Sequence, residues 1–176
     1  MERHAAAVAI NEGKMNEFKK KLGEIWPDLT AWLDKNQVGN FSIWNAENLM
    51  FVYGEWQDGA TYCVDDEIRD IISKLSDTFT WISTPGEDMR LMYHNFGIVR
   101  EKKELIRHRV FMTKLHDGCE EEYKCRHDAL IAQRGDTIDP GPDSNFSIWS
   151  AGGYIFGYII AAFIIGFFVQ KFKNKW

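Results

Sequence analysis

A chain of 176 residues with 45% hydrophobic and 14% aromatic content is long enough for one domain or two small ones and apolar enough to build packed cores. Its formal net charge of −5 excludes a nucleic-acid surface, which needs clustered Lys and Arg to neutralise phosphates. Cys63, Cys119 and Cys125 form no CxxC pair and leave an odd count, so neither a zinc site nor a disulfide framework follows, and a reduced cytoplasmic setting fits.

The N-terminus has no apolar stretch of signal-peptide length before the charged run at Lys14 to Lys21, so nothing there directs export. His4 to Ile10 is β-compatible and ends at the turn signal Asn11-Glu12-Gly13, giving a first strand. Met15, Phe18, Leu22, Ile25, Trp26, Leu29 and Leu33 recur at helical spacing, and Pro27 should kink or restart that helix. Asn40 to Trp44 and Leu49 to Trp56 are aromatic and β-branched runs around the polar turn Asn45 to Asn48, as in a hairpin. Ile68, Ile71, Ile72, Leu75 and Phe79 make a second helical stripe, and Met89, Leu91 and Tyr93 alternate as a fourth strand. The order is βαββαβ, a ferredoxin-like α+β unit with both helices on one face of an antiparallel sheet.

The pentapeptide Asn40-Phe41-Ser42-Ile43-Trp44 recurs as Asn145-Phe146-Ser147-Ile148-Trp149, an offset of 105 residues. The same offset places Gly13 on Gly118, Glu17 on Glu122, Phe18 on Tyr123, Lys19 on Lys124, Phe51 on Phe156 and Tyr53 on Tyr158. This self-similarity reads as a tandem copy. In it, Val110 to Leu115 is the first strand, Glu120 to Ala132 the helix, and Asn145 to Trp149 with Tyr154 to Tyr158 the hairpin. After Tyr158 the match stops. The expected organisation is a first unit at 1–99, a charged linker at 100–107, a partial second unit at 108–158 and an apolar tail with a basic end at 159–176. Pairing the two sheets would give a pseudo-dimeric α/β barrel.

The segments Glu17 to Pro27 and Glu122 to His127 resemble L-rhamnose mutarotase, whose first helix carries Tyr-x-x-x-His followed by Ile-Trp-Pro and whose second strand opens with an aromatic residue after Asn. The first copy keeps Ile25-Trp26-Pro27 but has Phe18 and Leu22, whereas the second keeps Tyr123 and His127. The family's strand tyrosine is Phe41 in one copy and Phe146 in the other. Its tryptophan pair has no counterpart, although Trp81 lies near that region. The resemblance implies interconversion of the α and β anomers of a free deoxy-sugar such as L-rhamnose. His127 would be the general acid/base, Tyr123 the hydroxyl partner, and Phe146 and Trp149 the lining against the sugar's C–H faces. One acid and one base suffice for ring opening, so no metal or cofactor is required.

The plainer reading of His127 is a satisfied core histidine. Its counterpart Leu22 marks an inward-facing position, where an ionisable group needs a partner or a ligand. His94, His108 and His116 lack metal-ligand spacing and read as surface or local hydrogen-bonding residues. A rival function is a non-catalytic sugar-binding remnant, motivated by Phe18, Leu22 and the missing half of the second copy. Another is a membrane-tethered form. Asn145 to Gln170 contains no charged residue, and Gly152 to Val169 is just long enough to span a bilayer, which offers membrane contact through residues 152–170 as the alternative to a cytoplasmic location. The hairpin edge left open by the missing strand favours self-association.

Overall fold

The computed structural model describes residues 2–57, 64–84, 87–96, 106–134 and 144–162, and two compact units meet in the chain between Met89 and Arg90. The first unit begins with β1 (Glu2–Ile10), then α1 (Met15–Lys35), β2 (Gly39–Ala46), β3 (Leu49–Trp56), α2 (Asp66–Ser73) and the short β4 (Phe79–Trp81). The sheet order is β2-β3-β1-β4, with every pair antiparallel. Alternation along the strands sends Ala6, Val8, Met50, Val52, Phe79 and Trp81 to one face. There Val8, Met50 and Phe79 join Phe18, Ile25, Leu29, Trp32 and Leu33 of α1 and Ile68 and Ile71 of α2 in one core.

The opposite face carries a buried polar group. Glu55 is 1% exposed, and its carboxylate accepts from the Tyr53 hydroxyl at 2.7 Å and the Asn40 side-chain amide at 2.7 Å, with Arg3 Nε 3.6 Å away. Burial of a carboxylate is tolerable only with partners of this kind.

α1 does not break at Pro27; it runs unbroken for 21 residues. Proline forfeits the bond its N–H would give to the carbonyl four residues earlier, at a cost of about 3 kcal/mol. Five large buried side chains on the same helix, each stabilising by roughly 1.5–3 kcal/mol, outweigh that loss, and the residue four positions back is Gly23.

The second unit holds β5 (Arg90–Phe96), β6 (Ile106–Lys114), α3 (Glu120–Arg134), β7 (Ser144–Ala151) and β8 (Tyr154–Ala162), in sheet order β5-β7-β8-β6. A shift of 105 residues carries the bounds of β2 onto those of β7, and the start of α1 onto that of α3. Both helices are entered through a glycine in the left-handed region, Gly13 at φ 73° and Gly118 at φ 78°, where a side chain would be strained.

Three further expectations change. Phe79 is not the end of the second helical stripe: α2 stops at Ser73, and Phe79 with Trp81 forms β4, paired with Ile10 and Val8. The fourth strand expected around Met89 to Tyr93 exists as β5, but it pairs with β7 and belongs to the second unit, so the unit boundary falls before it. The first stretch of the apolar tail is not part of a spanning helix. Tyr154–Ala162 is extended strand, hydrogen-bonded to β6 and β7 on its two sides, and no helix among the described residues is long and apolar enough to cross a membrane. Most of the charged linker and residues 163–176 of the tail lie outside the described residues.

Candidate active site

α3 projects Tyr123 and His127 one turn apart, so they share the face that packs on the second sheet. Tyr123 packs with Tyr93, Leu115 and Phe146 against the buried cluster Met92, Ile148 and Ile155. The N-terminal turn of α3 is fixed by two contacts. Ser150 Oγ donates to Glu120 at 2.5 Å, and the Arg90 guanidinium at the start of β5 makes a two-pronged contact with Glu121, one arm at 3.0 Å. This pairing holds the Glu121 carboxyl below its usual range and raises the Arg90 guanidinium.

The Tyr123 and His127 rings stack with centroids 4.3 Å apart and planes at 36°. His127 Nδ1 lies 3.1 Å from the backbone carbonyl of Tyr123. A carbonyl can only accept, so Nδ1 carries the hydrogen, and in the neutral ring Nε2 holds the lone pair. Burial pushes the Tyr123 phenol above its ordinary range, because desolvation penalises the phenolate. The pair therefore sets a phenol that burial holds in its protonated form beside an imidazole whose Nε2, in the neutral ring, has a lone pair able to accept a proton.

Opposite the helix, Tyr93 of β5 completes the cluster, its ring 6.3 Å from His127 and 5.5 Å from Phe146. Phe111 of β6 lies 6.2 Å from Phe146 on the other side. The Phe111 ring extends over its cross-strand partner Gly157, where a Cβ would sit only 1.9 Å from Cζ. Glycine at 157 thus makes room for the aromatic row Tyr93, Phe146, Phe111.

Of the four residues singled out in the sequence, three come together: Tyr123, His127 and Phe146. Trp149 does not join them. It is an odd number of residues from Phe146 on the same strand, which puts it on the opposite sheet face, 2% exposed with its indole N–H donating to Ser147 Oγ at 2.9 Å. His108 has the local role expected of it, with Nδ1 2.6 Å from the Tyr158 hydroxyl. The βαββαβ order places the Tyr93 strand in the first unit, so no signal in the sequence points to Tyr93 at this site. Among the described residues no three His, Cys, Asp or Glu side chains gather as a metal site.

A sequence model of the L-rhamnose mutarotase family matches residues 3–81. L-rhamnose mutarotase of Listeria monocytogenes is 34% identical over 64 residues, covering 35% of this chain and 62% of that protein. The Bacteroides thetaiotaomicron L-rhamnose mutarotase is 38% identical over 55 residues, 30% of this chain and 53% of that protein. The Agrobacterium fabrum L-rhamnose mutarotase is 42% identical over 43 residues, 24% of this chain and 40% of that protein. The matches thus span from 40% to 62% of these relatives' lengths. A crystal structure of L-rhamnose mutarotase from Formosa agariphila superimposes with TM-score 0.40 at 20% identity, over 50% of this chain and 88% of that one.

Proposed function

Residues 3–81 of this chain belong to the L-rhamnose mutarotase family, and on that premise we propose that the chain is a sugar mutarotase whose chemistry is carried by the second unit. The observation that supports this reading is the Tyr123–His127 pair, with Nδ1 anchored on the Tyr123 carbonyl and Nε2 left as the basic nitrogen. The family-matched segment itself has Phe18 and Leu22 at the two corresponding positions, and neither can move a proton.

In the proposed reaction His127 Nε2 takes the proton from the anomeric hydroxyl while the Tyr123 phenol gives one to the ring oxygen. The bond between the anomeric carbon and the ring oxygen breaks, leaving the open aldehyde. Rotation about the adjacent carbon–carbon bond presents the other carbonyl face. Reclosure returns both protons to the groups they came from, so nothing is consumed. Phe146 and Tyr93 supply apolar surface for the C–H face of a deoxy-sugar such as L-rhamnose. A cytoplasmic setting belongs to the same reading. Self-association does too: among the described residues no strand pairs with the outer edge of β2 or β6, and such edges invite another chain.

Saturation-transfer proton NMR on L-rhamnose and L-fucose tests the proposal. Anomer exchange faster than the protein-free rate, and slowed in Tyr123→Phe, supports it. Exchange equal to the protein-free rate, with saturable binding of either sugar, would favour instead a sugar-binding module, the reading that Phe18 and Leu22 motivate.

A further inference from the structure

The first unit contains a cavity of about 440 Å³ between its sheet and its two helices. Phe18 and Leu22, the counterparts of Tyr123 and His127, line it, as does Phe41, the counterpart of Phe146. The cavity therefore occupies in the first unit the place that the acid/base pair occupies in the second, with its ionisable chemistry replaced by hydrocarbon.

The two units fill that place differently for an identifiable reason. In the second sheet the cross-strand pair is Phe111 opposite Gly157, and the Phe111 ring lies across the face toward Phe146. In the first sheet the same pair, 105 residues earlier, is Ala6 opposite Val52, and both line the cavity. Exchanging a phenyl ring for a methyl group leaves the space open. A volume of 440 Å³ falls within the roughly 300–1,000 Å³ of small-molecule sites. It far exceeds the roughly 150 Å³ at which an apolar cavity already stays dry and admits an apolar guest.

The polar lining is uneven. Arg69, Ser73 and Ser76 all come from α2 and the turn after it. The two serine hydroxyls donate to backbone carbonyls at 2.7 Å, and among the described lining residues Arg69 is the one cation. Among the described residues the Arg69 guanidinium has one ion-pair contact, exposed and 3.7 Å from Asp66. Glu87 also lines the cavity and disfavours an anion near itself, so a carboxylate would be directed to the α2 side.

We propose that the cavity framed by Ala6, Phe18, Leu22, Phe41 and Val52 binds a monocarboxylate amphiphile of the fatty-acid class, its chain inside and its carboxylate at Arg69. This site is independent of the sugar chemistry assigned to the second unit.

Decanoate, below its micellar concentration, and 1-decanol, below its solubility limit, are titrated into the full chain by calorimetry. Saturable binding of decanoate is expected. Ala6→Phe/Val52→Gly, which installs the pair the chain already uses at 111 and 157, should weaken it by about tenfold or more without changing anomer exchange. Should that variant fail to fold by circular dichroism, Leu22→Trp makes the same comparison by filling the cavity from α1. Arg69→Gln should weaken decanoate and leave 1-decanol unchanged, which locates the carboxylate. No saturable binding of decanoate overturns the proposal. So does binding that the filled variants leave intact, or an Arg69→Gln variant that weakens both ligands equally.

Discussion

Gly157→Ala should destabilise the second unit through Phe111 rather than through the backbone. A Cβ at 157 would meet Phe111 Cζ at 1.9 Å, Cε1 at 2.0 Å and Cε2 at 2.6 Å, so the ring must swing off the sheet. Phe111 is 43% exposed, so it gives up a little more than half of the roughly 1.5–3 kcal/mol that full burial supplies, about 1 kcal/mol. Loss of its contact with Phe146, 6.2 Å away, adds about 0.5–1 kcal/mol. Replacing glycine in a strand returns about 0.5–1 kcal/mol, leaving a net cost near 1 kcal/mol. Urea unfolding of Gly157→Ala, Phe111→Ala and the double variant isolates the coupling. In the Phe111→Ala background the alanine at 157 should become neutral or stabilising, as it has no ring to displace. Additive effects, or a stabilising Gly157→Ala in the parent chain, would refute the argument that glycine is there to seat Phe111.

Other consequences are open to direct measurement. Glu55→Ala leaves Arg3 without the buried carboxylate it faces and should cost about 3–5 kcal/mol, read by urea unfolding; a change below 1 kcal/mol would mean water replaces the carboxylate. Glu47 sits at φ 57°, where its counterpart is Gly152 at φ 57°, so Glu47→Gly should stabilise by up to about 1 kcal/mol in thermal melts. The Asp65 carboxyl is lowered chiefly by the Ile68 backbone N–H and further by the Trp32 indole. Stability from it is present above the unfolded-state pKa and lost as pH falls through the folded one, a loss that Asp65→Asn should flatten in acid titration. The Tyr123 phenol is raised by burial, so its contribution is whole below the unfolded tyrosine pKa and declines as pH rises through the folded value. Tyr123→Phe should remove that alkaline decline.

The sequence carried the hairpins and first helices well because their signals are local. The aromatic and β-branched run from Leu49 to Trp56 marks a strand, buried on both faces, and the helical spacing from Phe18 to Leu33 marks a helix, each without reference to the rest of the chain. The repeated Asn-Phe-Ser-Ile-Trp segment then placed β7 and β8 through β2 and β3. What stayed hidden is non-local. Phe79 fits both a helical stripe and the alternating run Phe79-Thr80-Trp81, and only the pairing with Ile10 and Val8 decides between them. β5 reads as a strand, yet nothing in Arg90 to Phe96 says that its partner is β7, so Tyr93 could not be assigned to the site. Trp149 shows the opposite failure: its bulk suggested a sugar platform, while strand alternation, which is legible in sequence, already puts it on the face away from Phe146. The apolar run after Gly153 has the composition of a membrane span, but its β-branched residues and the hairpin before it are what fix Tyr154–Ala162 as strand.

The most direct test of the second unit's chemistry is the anomer exchange rate of carbon-13-labelled L-rhamnose with the parent chain, His127→Gln and Leu22→Ala, each checked for folding by circular dichroism. His127→Gln should lower the catalysed rate by about 10²–10⁴-fold, and Leu22→Ala should leave it close to the parent. Equal exchange by the parent and His127→Gln would contradict the role given to His127.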